Sequence, residues 1–249
     1  MGEVYLWRGS AEQRARRSLA GKWGRFAYFN YQLDYPNWRG KFVLDFGGNE
    51  GNLLLDYGCM ISPETYYCLD VLKQPLQVGR KRFPMAHWVH YNRYNCSFNP
   101  EGIRGLSIPD MGVKFDVILA YSVFTHTTRE EMHILVDELR RQLRPGGTLA
   151  FTFIDPHWAH NLRRRLERTN LRNGNIDRLV AQSRGAQYCT VVNGSELYVN
   201  SDGAWSNETK TCLTYDVYHT VRFMRREFPG AVIRPPLEGH AQQCCLIRR

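Results

Sequence analysis

Acidic residues are the scarce charged class in this chain of 249: 24 Asp and Glu stand against 33 Lys and Arg, a formal net charge of +9. A basic surface attracts anions, from nucleic acid to phosphorylated metabolites. The short runs at 14–17 (RARR), 163–165 and 225–226 also read simply as solvated helix faces. The seven cysteines include no CxxC pair, and their number is odd. That pattern disfavours a zinc ribbon or a disulfide frame and suits reduced thiols, so a cytoplasmic location is expected. No apolar run nears the ~20 residues of a membrane span. The opening stretch MGEVYLWRGSAEQRARRS has no apolar core of the length a leader peptide requires. Internal repeats and low-complexity segments are missing too. No cluster of metal-type ligands stands out, and no metal is expected.

What is present is an alternation. Residues 1–40 are aromatic and basic, and predict one or two short helices and a loop ending near Pro36. Residues 41–46 (KFVLDF), stopped by Gly47 and Gly48, predict a buried parallel strand. A helix-like stretch over 51–57 follows, then a strand at 66–71 (YYCLDV), a helix over 76–83 and a strand at 87–91. Residues 115–121 (FDVILAY) form the clearest strand signal. Thr128 and Glu131 make a capping box. Met132, Leu135, Val136, Leu139 and Leu143 then recur at helical spacing up to Pro145-Gly146-Gly147. A strand at 148–154 comes next. Such an order implies parallel pairing with right-handed crossovers. The rhythm breaks over 156–214, where an inserted helix and a short hairpin or loops are expected. A helix over 215–228 and strands at 231–234 and 242–247 close the chain.

In an open parallel sheet, ligands sit beyond the carboxyl ends of the strands. The first such end is Asp45-Phe46-Gly47-Gly48-Asn49-Glu50-Gly51. Its glycines permit a tight turn and close approach of a ligand, with a nucleotide as the first guess. The dinucleotide fingerprint, however, needs glycines where Asn49 and Asn52 stand. Asp45 would repel a pyrophosphate and welcome an ammonium. The pattern thus favours a nucleotide-like ligand that carries an amine.

The run V-L-D-F-G-G-N-E-G-N-L at 43–53 resembles the first motif of the class I S-adenosylmethionine-dependent methyltransferases. It departs from the family form at Asn49, a residue that tolerates positive φ. The segment Cys68-Leu69-Asp70-Val71 looks like the second motif. Asn92 stands where the family often has an adenine-reading Asp. The segments 120–126 and 143–147 resemble later family motifs. The resemblance covers about 41–155 well. It implies an α/β, Rossmann-like, doubly wound and mostly parallel seven-stranded sheet with helices on both faces, an N-terminal helical cap and an insertion after strand five. The implied layout is a cap at 1–40, a cofactor core at 41–155, an acceptor-shaping insertion at 156–214 and a closing helix with two strands at 215–249.

The implied cofactor is S-adenosyl-L-methionine, leaving as S-adenosyl-L-homocysteine. Its expected contacts are Asp45, Gly47, Gly48, Asn49, Gly51, Asp70, Val71, Asn92, Arg93, Tyr121 and Ser122, with Asp70 on the ribose hydroxyls. An oxygen or nitrogen acceptor can require a base. His126, Asp155 and His157, at strand ends, are the candidates, although each also suits a capping role. Trp23, Phe26, Tyr28, Trp158, Tyr218 and His219 are the expected acceptor walls, and residues 20–31 a lid. The expected function is methyl transfer to an O, N or C nucleophile of a small molecule, by a monomer or homodimer without membrane or nucleic-acid partners. The alternatives are an RNA or protein methyltransferase, and a non-methylating cyclase or scaffold. Against the RNA reading, no KH or RRM motif is present.

Overall fold

A computed structural model describes residues 24–158, single positions between 163 and 181, and residues 188–192, 196–199, 215–237 and 240–249. The strands are β1 (Val43–Phe46), β2 (Tyr66–Asp70), β3 (His87–His90), β4 (Phe115–Ala120), β5 (Leu143–Phe153), β6 (Tyr188–Val192), β7 (Glu196–Val199), β8 (Tyr215–His219), β9 (Val232–Arg234) and β10 (Gln243–Arg248). The helices are α1 (Arg25–Gln32), α2 (Lys73–Arg82), α3 (Arg129–Gln142) and α4 (Val221–Glu227).

Seven strands form one sheet in the order β3-β2-β1-β4-β5-β10-β9. β1 runs parallel to both β2 and β4, and β2 runs parallel to β3. β10 runs antiparallel to β9, with Cys245 opposite Ile233. The chain therefore leaves β1 towards one edge and returns to β4 on the other side. The switch point of the sheet, where open α/β folds bind ligands, lies between β1 and β4. All four residues of β1 and all five of β2 are buried, as strands covered on both faces require.

The chain divides into two compact units. The first holds the described residues up to Tyr121, with Glu138–Ala150 and Arg248–Arg249; the second holds Ser122–Asp137 and the described residues of Phe151–Ile247. In the first, Val43, Leu44, Tyr66, Leu69, Phe115 and Ile118 have no exposed surface. In the second, the capping box at the start of α3 is complete. Thr128 Oγ1 accepts the Glu131 amide at 3.1 Å, and Glu131 Oε2 accepts the Thr128 amide at 3.0 Å. Such caps contribute about 1 kcal/mol.

Three expected elements differ. The stretch over 51–57 is a series of turns, not a helix. Gly51, at φ +80°, and Gly58, at φ +78°, hold left-handed conformations that a right-handed helix cannot continue through. The helix expected over 215–228 begins later. Tyr215–His219 is strand β8, and Thr220 Oγ1 accepts the Phe223 amide at 3.1 Å, starting α4 one residue on. The expected hairpin of the insertion is a three-stranded antiparallel sheet, β7-β6-β8, while most of its expected helix lies outside the described residues. At the end of α3, no loop intervenes before β5. The Pro145-Gly146-Gly147 turn pairs with the last residue, Gly146 N–H donating to Arg249 O at 2.9 Å and Arg249 N–H to Gly147 O at 3.0 Å. Among the described residues no helix is long and apolar enough to cross a membrane.

Candidate active site

The site is built in the first unit, on the carboxyl ends of β1 and β2. The Gly47 amide still donates to Leu69 O at 2.8 Å, continuing the ladder. The chain then turns through φ +74° at Gly47, +60° at Asn49 and +80° at Gly51. Space as well as conformation demands glycine. A Cβ on Gly48 would stand 2.6 Å from the Asp45 carboxyl and 2.7 Å from Cys68 Sγ, and one on Gly51 would meet the Trp88 ring at 2.7 Å. Glycine at 48 and 51 thus lets the turn close tightly over Asp45, Cys68 and Trp88.

Two strand-end carboxylates hold the turn. Asp70 Oδ2 accepts the Asn49 amide at 2.8 Å and Oδ1 accepts the Leu72 amide at 2.9 Å. Asp45 Oδ2 accepts the Tyr66 hydroxyl at 2.5 Å. Burial pushes the Asp45 carboxyl up to about 7; the Tyr66 bond and the Arg25 charge oppose the rise, and Asp70 and Asp56 add to it. Asp70 is also raised, chiefly by burial, with its amide bonds and Arg25 opposing. Burial pushes Asp56 up to about 6 against its bond from the Phe26 amide and the charge of Arg25. Asp70 and Asp56 both act on Asp45, and the charge of Arg25 acts on all three, so acidic groups gather around one guanidinium. Cys68, under the turn, has its thiol pushed well up by burial, which keeps it unreactive.

An aromatic wall stands beside them. Tyr28 and Phe29 of α1, both without exposed surface, pack edge-on against Tyr121, which follows β4, with centroids 5.6 and 6.1 Å apart. Phe26 packs against Trp38 at 5.4 Å. The Arg25 guanidinium lies 5.1 Å from the Tyr121 ring centre. Trp23 lies outside the described residues, as do 20–22 of the expected lid. Val71 follows Asp70, and its carbonyl is bonded by His90 Nε2 at 3.1 Å. Asn92 Oδ1 takes the Asn99 amide nitrogen at 3.2 Å. Arg93 is buried, and its guanidinium donates to Leu106 O at 2.6 Å, beside the Tyr91 hydroxyl on the same carbonyl. This arginine fastens the loop after β3.

The remaining candidates belong to the second unit. Ser122 holds φ +59°, a strained conformation for a residue with a side chain. Its amide donates to Thr152 Oγ1 at 2.7 Å and its hydroxyl accepts from Gln242 Nε2 at 3.1 Å. His126 ends a one-turn 3-10 helix and is half-buried. Asp155 Oδ1 accepts the His157 amide at 2.8 Å and Oδ2 the Val221 amide at 2.9 Å, so this carboxylate joins the end of β5 to the start of α4. The His157 side chain is exposed, and Trp158 is 45% exposed. Tyr218 and His219 are buried; His219 stacks on Phe223 at 4.9 Å, and burial pulls its imidazole down to about 3. The His219 imidazole is thus enclosed against Phe223.

Sequence reasoning missed Arg25, Asp56 and Tyr66. The signal for Arg25 was a cation beside Gly24 in an otherwise aromatic segment. Asp56 and Tyr66 carried no local signal, because their partners lie 30 and 21 residues away in the chain.

A glycine turn at the switch point, with an acidic strand end beside it, defines a Rossmann-like nucleotide-binding core. Residues 44–149 match the family model described as a methyltransferase domain. The chain's fold is similar to that of the S-adenosylmethionine-bound amino pentose methyltransferase from Micromonospora echinaspora involved in calicheamicin biosynthesis, at 14% identity and TM-score 0.55 over 100% of this chain and 99% of that one. An S-adenosylmethionine-dependent methyltransferase from Clostridium acetobutylicum matches at 8% identity and TM-score 0.53, over 92% and 91% of the two chains. Magnesium protoporphyrin IX methyltransferase from Synechocystis, with bound S-adenosylhomocysteine, matches at 11% identity and TM-score 0.51, over 100% and 90%.

Proposed function

We propose that the protein moves a methyl group from S-adenosylmethionine to an O, N or C nucleophile of a small molecule. The observation that carries the reading is the acidic cluster of Asp45, Asp56 and Asp70 around the glycine turn, faced by Arg25. A negative field suits a ligand that carries a sulfonium and an ammonium. When bound, the cofactor supplies a methyl group already activated for displacement. Asp70 would hold the ribose hydroxyls: each of its oxygens accepts one amide, and a carboxylate has further lone pairs. Asp45 would face the ammonium, and Arg25 the carboxylate at the same end of the cofactor. Gly47 to Gly51 form the tight turn, with Val71 and Asn92 at the neighbouring strand ends.

Tyr28 and Phe29 are enclosed against Tyr121, aromatic packing that suits exclusion of water from a methyl-transfer site. The three candidate bases, His126, Asp155 and His157, all belong to the second unit, where Asp155 accepts the His157 and Val221 amides. Two relatives of this fold are named for small acceptors, an amino pentose and a magnesium porphyrin.

The test uses cofactor with a labelled methyl group and a cell extract separated by size. Label should enter the small-molecule fraction. Label confined to RNA or protein would replace this acceptor class with a macromolecular one.

A further inference from the structure

Gly24 and Asp56 make a joint that cofactor contact does not explain. Asp56 sits in the turns after Gly51, yet its carboxylate accepts the Phe26 amide at 2.5 Å, in the first turn of α1. The first amides of a helix have no partner within it. The residue that starts α1, Gly24, has no side chain to serve them, so a carboxylate from 30 residues along the chain does so. Gly24 has φ −74° and ψ 177°, an extended conformation that any residue adopts. Glycine is therefore not required by the backbone here; it is required by space. A Cβ on Gly24 would overlap the Asp56 carboxyl group, whose three outer atoms are its nearest neighbours. The next residue is Arg25, whose charge acts on Asp56, Asp45 and Asp70 and whose guanidinium lies over Tyr121.

We propose that Asp56 is a positioning residue for the cofactor: it caps α1 from the chain that follows the glycine turn and so seats Arg25 in the acidic cluster. The helix and the cofactor loop are thereby one piece, and Gly24 is the gap that lets the carboxylate in. The burial that lifts the Asp56 carboxyl to about 6 fits an acid enclosed by its joint. The inference rests on the reading that the glycine turn holds S-adenosylmethionine.

The experiment is a double-mutant cycle on the full chain, with cofactor affinity measured by calorimetry. Gly24→Ala and Asp56→Ala should each weaken S-adenosylmethionine binding roughly tenfold, the size of one lost hydrogen bond to a charged group. Asp56→Asn, whose amide oxygen still accepts the Phe26 N–H, should recover most of the loss. On the Asp56→Ala background, Gly24→Ala should cost almost nothing, because the group it collides with is gone. Decarboxylated S-adenosylmethionine has no carboxylate for Arg25, so its binding should change far less in every variant. Additive losses, unchanged affinity in the folded single variants, or equal losses for both ligands would overturn the proposal. The same cycle read in the thermal midpoint needs no ligand. If the unaltered protein bound no S-adenosylmethionine the functional reading would fall, and additivity or its absence in the midpoints would still decide the joint.

Discussion

The two units contain a matched pair of buried aspartates. Asp70 ends β2 in the first and Asp155 follows β5 in the second, 6% and 9% exposed, and each accepts two backbone amides. Their surroundings differ. Around Asp70 stand Asp45 and the cation Arg25, and one of the amides it accepts comes from the glycine turn. Asp155 ties His157 to Val221 and so fixes one element to another. Residue type, burial and hydrogen-bond count are nearly equal, but one carboxylate helps to set a field and the other closes a joint. Burial raises the Asp70 carboxyl most, and the charges around it decide the field it joins.

The sharpest way to break this comparison is to fill the cradle. Gly48→Val would drive a side chain into the Asp45 carboxyl and Cys68. Cofactor affinity, measured by calorimetry, should fall roughly a hundredfold or more, the scale of a misplacement of about 1 Å. Retained affinity would place the cofactor elsewhere. Asp155→Ala should act on folding instead. Two amides lose their acceptor at about 1–3 kcal/mol each, so the thermal midpoint should drop sharply while cofactor affinity stays within about twofold. A variant of normal stability that has lost cofactor binding would erase the distinction between the two aspartates. Asp70→Ala should weaken cofactor binding at least about tenfold, through charge-assisted bonds to the ribose.

Proton linkage sharpens the comparison further. The Asp45 carboxyl titrates at about 7 in the folded chain against an ordinary value of 3.8. Between those values the folded chain keeps a proton that the unfolded chain has released, so this group's contribution to stability falls as pH rises from about 4 to 7. A cationic ligand favours the ionised form. Cofactor affinity should therefore rise with pH up to about 7, by at most about tenfold per unit, and level off above. Asp45→Asn should flatten both slopes; an unchanged affinity profile would remove Asp45 from the cofactor reading. The smallest effect belongs to the second unit. His133 shares Glu227 with Arg129 and Arg226, and its side chain is 36% exposed. Glu227 lies below its ordinary value because these bonds outweigh its burial. His133→Ala should cost less than about 1 kcal/mol in unfolding experiments.

Where the controlling interactions are local, the chain determined its own structure. A four-residue apolar run before paired glycines makes β1, because a buried parallel strand needs no polar face. Thr128 and Glu131 make their cap because both partners lie within one turn. Asn49 takes the left-handed turn that replaces the family glycine, an outcome its short polar side chain permits. The order of these motifs was sufficient to expect the methyltransferase domain whose family model residues 44–149 match. Tertiary structure decided the rest. Gly51 of the turn after β1, with Gly58, also prevents the helix expected over 51–57, a conflict that apolar periodicity does not register. Tyr215–His219 joins a sheet because β6 lies beside it, whatever its helical spacing suggests. Asp70 and Asp155 look alike in the chain, each an acid at the end of an apolar run. One faces other charges and the other faces backbone amides of the elements it joins. Those neighbours come from distant parts of the sequence, and an electric field sums over positions in space, not over positions along the chain.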